Sequence, residues 1–150
     1  ELSNSTQNPT IISAFYAYNA SGISTTEENI PLSFDSVKLN RGNNYDTETY
    51  KYTAPSTGIY EFFGKTLARR NSADGIVESG FYINDVSASS RGMAYTHVSG
   101  DSDHDDMSLY MIINLNEGDT VDIRAYDISD GCDLYYGMQL GHFQGRFLGI

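Results

Sequence analysis

The chain has 150 residues and a formal net charge of −11, from 20 acidic against 9 basic residues. That length predicts one domain with an ordinary hydrophobic core; that charge excludes nucleic acid and disfavours anionic membrane surfaces, because both need a basic face. Twelve Tyr, seven Phe and 14 Gly against three Pro and no Trp favour strands joined by turns.

Residues 1–10, ELSNSTQNPT, are polar and are expected to form a flexible N-terminal segment, with one globular domain over residues 11–150. IISAFYAY, Ile11 to Tyr18, is the first expected strand and ASGISTTEEN a loop. ETYKYT, Glu48 to Thr53, alternates as a strand does, and APSTG breaks it. IYEFFGKTLA, Ile59 to Ala68, is the next strand, and RRNSADG turns the chain. VESGFYIND, RGMAYTHVS and MSLYMIINL follow as strands, then NEGD as a tight turn. TVDIRAYD points Val121, Ile123 and Ala125 one way and Asp122, Arg124 and Tyr126 the other. DISDGCD reads as a loop, and LGHFQGRFLGI closes the chain. Many short strands with regular turn signals and no capped helical period predict an antiparallel sandwich.

Leu109–Leu115 departs from clean alternation, since both its faces are mostly apolar. Such a strand is either central and covered within the chain, or has one face buried by another subunit. No apolar run approaches membrane-spanning length, so no membrane insertion is expected. Cys132 stands alone, which excludes an internal disulfide; it is a buried thiol or a link between chains, and Asp130 and Asp133 beside it are expected to raise its pKa. Asn4 and Asn19 each begin an N-glycosylation triplet.

Phe34, Asn40, Tyr45, Tyr52, Gly58, Tyr60 and Phe62 stand at fixed spacings, the last three in a Gly-x-Tyr-x-Phe run. In this the stretch Phe34 to Gly64 resembles the globular head of complement C1q and its relatives. Tyr52 replaces the family's Phe and adds a hydroxyl that needs a partner. Gly64 replaces its last aromatic and leaves core volume for a neighbour to fill. AFYAY from Ala14, NEGDTVDI from Asn116 and HFQGRFLGI from His142 are similar to the family's opening strand, Gly-Asp-x-Val turn and closing strand. The stretch RGNNYDTETYKYTAPSTGIYEF is also similar to short secreted members such as the cerebellin-like proteins. The resemblance implies an all-β, ten-stranded antiparallel jelly-roll of the C1q/tumour-necrosis-factor-like type, a homotrimer, and a secreted, extracellular protein. A trimer would give Leu109–Leu115 its second covering surface.

For chemistry the sequence offers less. There is no Gly-x-Ser-x-Gly elbow and no HExxH, and His97, His104 and His142 are isolated, so no enzyme and no catalytic residues are expected. GDSDHDD, Gly100 to Asp106, begins like a helix-loop-helix calcium loop but lacks that loop's sixth-position Gly and twelfth-position Glu. Asp101, Asp103, Asp105 and Asp106 still supply hard oxygens suited to calcium. The resemblance places the stretch as a loop near one end of the trimer, where several members bind calcium. A cation site and a solvated acidic turn both remain open.

Tyr126, Tyr135 and Tyr136 bracket a loop holding Asp127, Asp130 and Asp133. Aromatic faces beside carboxylate acceptors can hold a sugar. Arg69, Arg70 and Arg91 are an alternative contact for an anionic ligand. The expectation is a secreted homotrimer that recognises glycans or microbial surfaces, with calcium as the one cofactor in view. The alternatives are a cerebellin-like protein ligand and an acidic calcium-binding extracellular protein.

Overall fold

A computed structural model describes residues 11–88, 92–100 and 104–150; the expected flexible segment 1–10 lies outside them. The described residues contain no helix. They form thirteen strands: β1 (Ala14–Tyr18), β2 (Ser24–Thr25), β3 (Ser36–Arg41), β4 (Tyr45–Asp46), β5 (Lys51–Thr53), β6 (Gly58–Arg70), β7 (Gly75–Ile83), β8 (Val86–Ser87), β9 (Met93–Val98), β10 (Asp105–Leu115), β11 (Thr120–Ile128), β12 (Cys132–Tyr135) and β13 (His142–Gly149). Three of these, β2, β4 and β8, are two-residue pairings; the other ten carry the sandwich.

Sheet A runs β2-β12-β6-β13-β1-β3, with β10 on the opposite edge of β6. Strand β6 organises it, because β10 pairs along its length from Gly58 to Ala68, while β13 and then β12 share its other edge. Sheet B runs β4-β5-β11-β7-β8, with β9 also on β7. All pairings are antiparallel, and the core lies between the two sheets. Among the ten longer strands, β3 and β12 fall where no strand is expected from sequence; β3 is mostly polar and β12 is only four residues long. The Gly100–Asp106 stretch is not all loop either, since Asp105 and Asp106 open β10.

The spaced residues of the sequence build this core. Phe34, Tyr52, Tyr60 and Phe62 have no exposed surface. Phe15 stacks on Tyr45 at 5.0 Å and on Tyr52 at 4.9 Å, and meets Phe143 edge-on at 4.7 Å, geometries that favour ring quadrupoles. The Asn40 side chain clamps the β3–β4 turn: its Nδ2 donates to the Tyr45 carbonyl at 2.9 Å, and its Oδ1 accepts the Tyr45 N–H at 3.2 Å. The Tyr52 hydroxyl finds its partner in Ser13 Oγ at 2.5 Å, and burial pushes its pKa up to about 12.

Two glycines are fixed by packing. A Cβ on Gly58 would meet the Gly149 carbonyl at 2.5 Å and the Phe147 ring at 2.6 Å. A Cβ on Gly64 would meet Ile123 Cδ1 at 2.5 Å, with Leu109 next to it; these two side chains occupy the volume that an aromatic would have filled.

Candidate functional site

The outward face of sheet A carries a group of exposed apolar side chains. Register alone assembles it. Leu39, Tyr16, Gln144, Phe63 and Tyr110 lie opposite one another across β3, β1, β13, β6 and β10, and the next row is Arg41, Ala14, Arg146, Glu61 and Ile112. Along β10, Met107, Leu109, Met111 and Leu115 turn into the core, while Tyr110 and Ile112 remain 48% and 56% exposed. The two apolar faces of Leu109–Leu115 therefore have different fates: one is core, the other is uncovered.

One ionic group is set into this face. Glu61 is buried, and it accepts from Arg146 Nε and from the Tyr110 hydroxyl at 3.3 Å. Phe63 and Tyr110 pack with ring centres 4.7 Å apart. A cleft of about 330 Å³ opens here, lined by Tyr16, Leu39, Glu61, Phe63, Gln144 and Arg146 among others.

At one end of β6 the structure brings together three of the expected ligand residues. Arg69 and Asp133 are directly paired in register; Arg69 Nε and Nη2 donate to the two carboxylate oxygens at 2.8 and 2.6 Å. The guanidinium also lies 4.7 Å from the Tyr135 ring centre. Burial pushes the Asp133 carboxyl up, but Arg69, Asn71 and Ser24 outweigh it and hold the group below the usual carboxylate range. Asp133 is thus a satisfied partner of Arg69, and the Tyr135 face already carries a cation.

The remaining residues do not join that cluster. Tyr136 is buried; its ring meets Phe34 edge-on at 5.4 Å and its hydroxyl is 2.9 Å from Ser33 Oγ. It is a core residue, which corrects its expected place on a sugar-binding surface. Tyr126 is exposed on β11 in the other sheet, near Tyr82, and Asp130 is exposed in the β11–β12 turn. Arg70 pairs with Asp74 at 2.6 Å.

Of the proposed cation ligands, Asp101 and Asp103 lie outside the described residues, as does Arg91. Asp106 faces outward on β10 and is 3.2 Å from Lys65 Nζ; Asp105 is half-buried beside it. Among the described residues no three His, Cys, Asp or Glu side chains are grouped to hold an ion. Asn4 also lies outside the description. Asn19 is buried and its Nδ2 donates to the Ser33 carbonyl at 2.6 Å, so the nitrogen expected to carry a glycan is instead used inside the fold. Cys132 is a free, buried thiol whose pKa burial raises, and its Sγ lies 3.3 Å from the Ala73 carbonyl.

Sequence reasoning missed one constellation. Asp122 and Arg124, read as outward residues, are 0% and 7% exposed. Arg124 Nε and Nη2 donate to the Asp122 carboxylate at 2.6 and 3.0 Å, Nη2 reaches Asp85 at 2.5 Å, and Nη1 reaches the Asn29 carbonyl at 2.9 Å. Lys51 joins Asp85 at 2.5 Å, and Tyr82 stacks beneath the guanidinium at 4.7 Å. Burial holds the Asp122 carboxyl above its ordinary range even with Arg124 beside it. The partners come from four separate parts of the chain, and only the i, i+2 spacing of Asp122 and Arg124 gave a local signal.

Two antiparallel sheets in this order, with one apolar outer face left open, define a C1q/tumour-necrosis-factor-like jelly-roll. The chain belongs to the C1q domain family, whose model matches residues 14–148. It is 30% identical over 110 residues to mouse complement C1q tumor necrosis factor-related protein 2, covering 73% of this chain and 34% of that protein. It is 27% identical over 118 residues to the heavy metal-binding protein HIP of Mytilus edulis, covering 77% of this chain and 50% of that one. The chain therefore spans between a third and a half of the length of these relatives. The globular domain of zebrafish complement 1qA superposes with a TM-score of 0.69 at 17% identity, covering 92% of this chain and 98% of that domain. C1q domains are generally non-enzymatic and typically form trimers.

Proposed function

We propose that this chain is the subunit of a secreted, non-enzymatic homotrimer that recognises extracellular ligands. The observation that carries the reading is the outer face of sheet A, where Leu39, Phe63, Tyr110, Ile112 and Leu148 stay between 39% and 56% exposed. A contiguous apolar face of this kind on a secreted domain is covered by a partner, and a second copy of the chain is the partner that the family favours. Three copies present each loop three times, so weak contacts gain avidity through effective concentration.

Glycans and microbial surface components are the ligands we propose first. The half-exposed Arg69 over Tyr135 supplies a cation and an aromatic edge that suit an acidic sugar. A protein ligand, as for the cerebellin-like proteins, is the second reading. It is favoured by the loss of two expected sugar contacts, Asp133 to its ion pair and Tyr136 to the core. Calcium is proposed only as a ligand of the stretch Asp101–Asp106, and binding of other metals, suggested by the name of the mussel relative, has no support among the described residues.

Light scattering at micromolar concentration tests the assembly; a mass near three times 16.6 kDa is expected, and the mass of a single chain overturns it. A glycan array probed with and without calcium tests the ligand. Binding lost in Tyr135→Ala supports the sugar reading, and a silent array in both conditions turns the search to protein ligands.

A further inference from the structure

His142 occupies a particular place on the open face. It stands on β13 directly opposite Lys65 of β6. Its ring stacks on Tyr16 of β1, centres 5.5 Å apart at 30°, and Gln144 Nε2 lies 3.2 Å from its Nδ1. Lys38 of β3 covers the same Tyr16 ring at 5.4 Å and the neighbouring Tyr18 ring at 5.2 Å. Asp106 of β10 is the carboxylate on this side of the cluster, and it is tied to Lys65 at 3.2 Å. The imidazole is thus half-buried against Tyr16 and Gln144, with Lys65 as its cross-strand neighbour and Lys38 on the same Tyr16 ring.

We propose that His142 makes assembly through this face sensitive to acid: the trimer holds with His142 neutral and loosens when it is protonated. The inference rests on the assembly reading above. A proton on the imidazole places a second cation beside Lys65, and packing a second copy over it removes the water that would solvate the charge and screen the repulsion. In the single chain burial first, and Lys65 second, already lower the His142 pKa below its ordinary value. Covering the face deepens both effects. The sign follows: the dissociated chain binds the proton better than the assembled one. Assembly is unaffected well above the His142 value of the dissociated chain, which itself lies below the ordinary imidazole value near 6.5, and is lost progressively as pH falls through it. Gln144, which shares the ring nitrogen, fixes the neutral tautomer in the assembled state by donating its amide N–H to Nδ1, so that Nε2 carries the proton.

Sedimentation equilibrium of the whole chain at pH 7.5 and pH 5.5 separates the outcomes. For the native chain, trimers at pH 7.5 and a dissociation constant raised about tenfold or more at pH 5.5 are expected. His142→Gln, which keeps a neutral polar side chain there, is expected to form trimers at both pH values with nearly the same constant. A second variant, Lys65→Gln, removes the neighbouring cation but not the burial, and is expected to reduce the native acid response without abolishing it. Equal acid dissociation in the native chain and in His142→Gln overturns the inference, as does a native trimer indifferent to this pH range; both leave the assembly reading intact. A single-chain mass at pH 7.5 overturns the two together.

Discussion

The outer faces of the two sheets solve the same problem differently. On sheet B the outward residues Asp122, Arg124 and Tyr82 are covered by the chain itself, while Tyr95 and Tyr126 stay exposed beyond them. Arg124 is held by Asp122, Asp85 and the Asn29 carbonyl, with Tyr82 below it, and Met93 folds so close to Gly80 that a Cβ there has no room. On sheet A the corresponding positions are Leu39, Phe63, Tyr110 and Ile112, and none of the described residues lies over them. A polar outer face closed by its own ion pairs has no need of a partner, whereas an apolar one left open does. The difference separates what stabilises the subunit from what assembles it.

The two faces should then fail differently. Arg124→Ala leaves Asp122 buried with no counter-charge, and removing one member of a buried pair costs about 3–5 kcal/mol. Urea denaturation is expected to show a loss of that size, with Arg124→Lys giving little recovery because a single ammonium cannot serve Asp122, Asp85 and the Asn29 carbonyl together. Ile112→Asp is the counterpart on the open face. The side chain is more than half exposed, so the β-rich circular dichroism spectrum should survive with a change within about 0.5 kcal/mol for the isolated fold. The assembly, by contrast, should be lost in light scattering, because a trimer would bury that charge unpaired. An Ile112→Asp chain that remains trimeric would move the interface off this face.

How far the sequence foretold these differences depends on the range of the contacts. Residues whose partners are near in the chain were legible: the Phe34 to Gly64 spacings and the alternation of Val121, Ile123 and Ala125 reappear as core or turn, although the hydrogen bonds by which Asn40 holds Tyr45 show only in the fold. The ambiguity of Leu109–Leu115 was legible too, and only the fold decides which side is which. What escaped were pairings across the chain. Asp133 meets Arg69 from 64 positions away, and Arg124 meets Asn29 from 95. No local pattern announces either, so from sequence Asp133 reads as a sugar acceptor and Arg124 only as a residue on the face opposite Val121, Ile123 and Ala125. Tyr135 and Tyr136 show the limit of composition: adjacent in sequence, they point to opposite sides of a strand end, one to a surface cation and one to the core. The short strands β3 and β12 were missed because pairing with β1 and β6, and not propensity, makes them strands.

The Arg69–Asp133 pair lies between the two extremes, at the end of sheet A, with Arg69 half-exposed and Asp133 buried. Its effect on stability should be well below that of Arg124, up to about 1 kcal/mol, since solvent screens the arginine side. It has a pH signature that the others lack. The Asp133 pKa is lower in the folded chain than in the unfolded one, so the folded state binds its proton less readily. The contribution is therefore fully present above the unfolded carboxylate value near 4 and disappears as pH falls through the lower, folded value. Denaturation of the native chain and of Asp133→Asn between pH 6 and pH 2 should give curves that lie apart at the upper end and converge at the lower, where the native carboxyl is also protonated. Curves that remain parallel throughout would mean that Arg69 gains nothing from the charge of Asp133 and is held in place by Tyr135 alone.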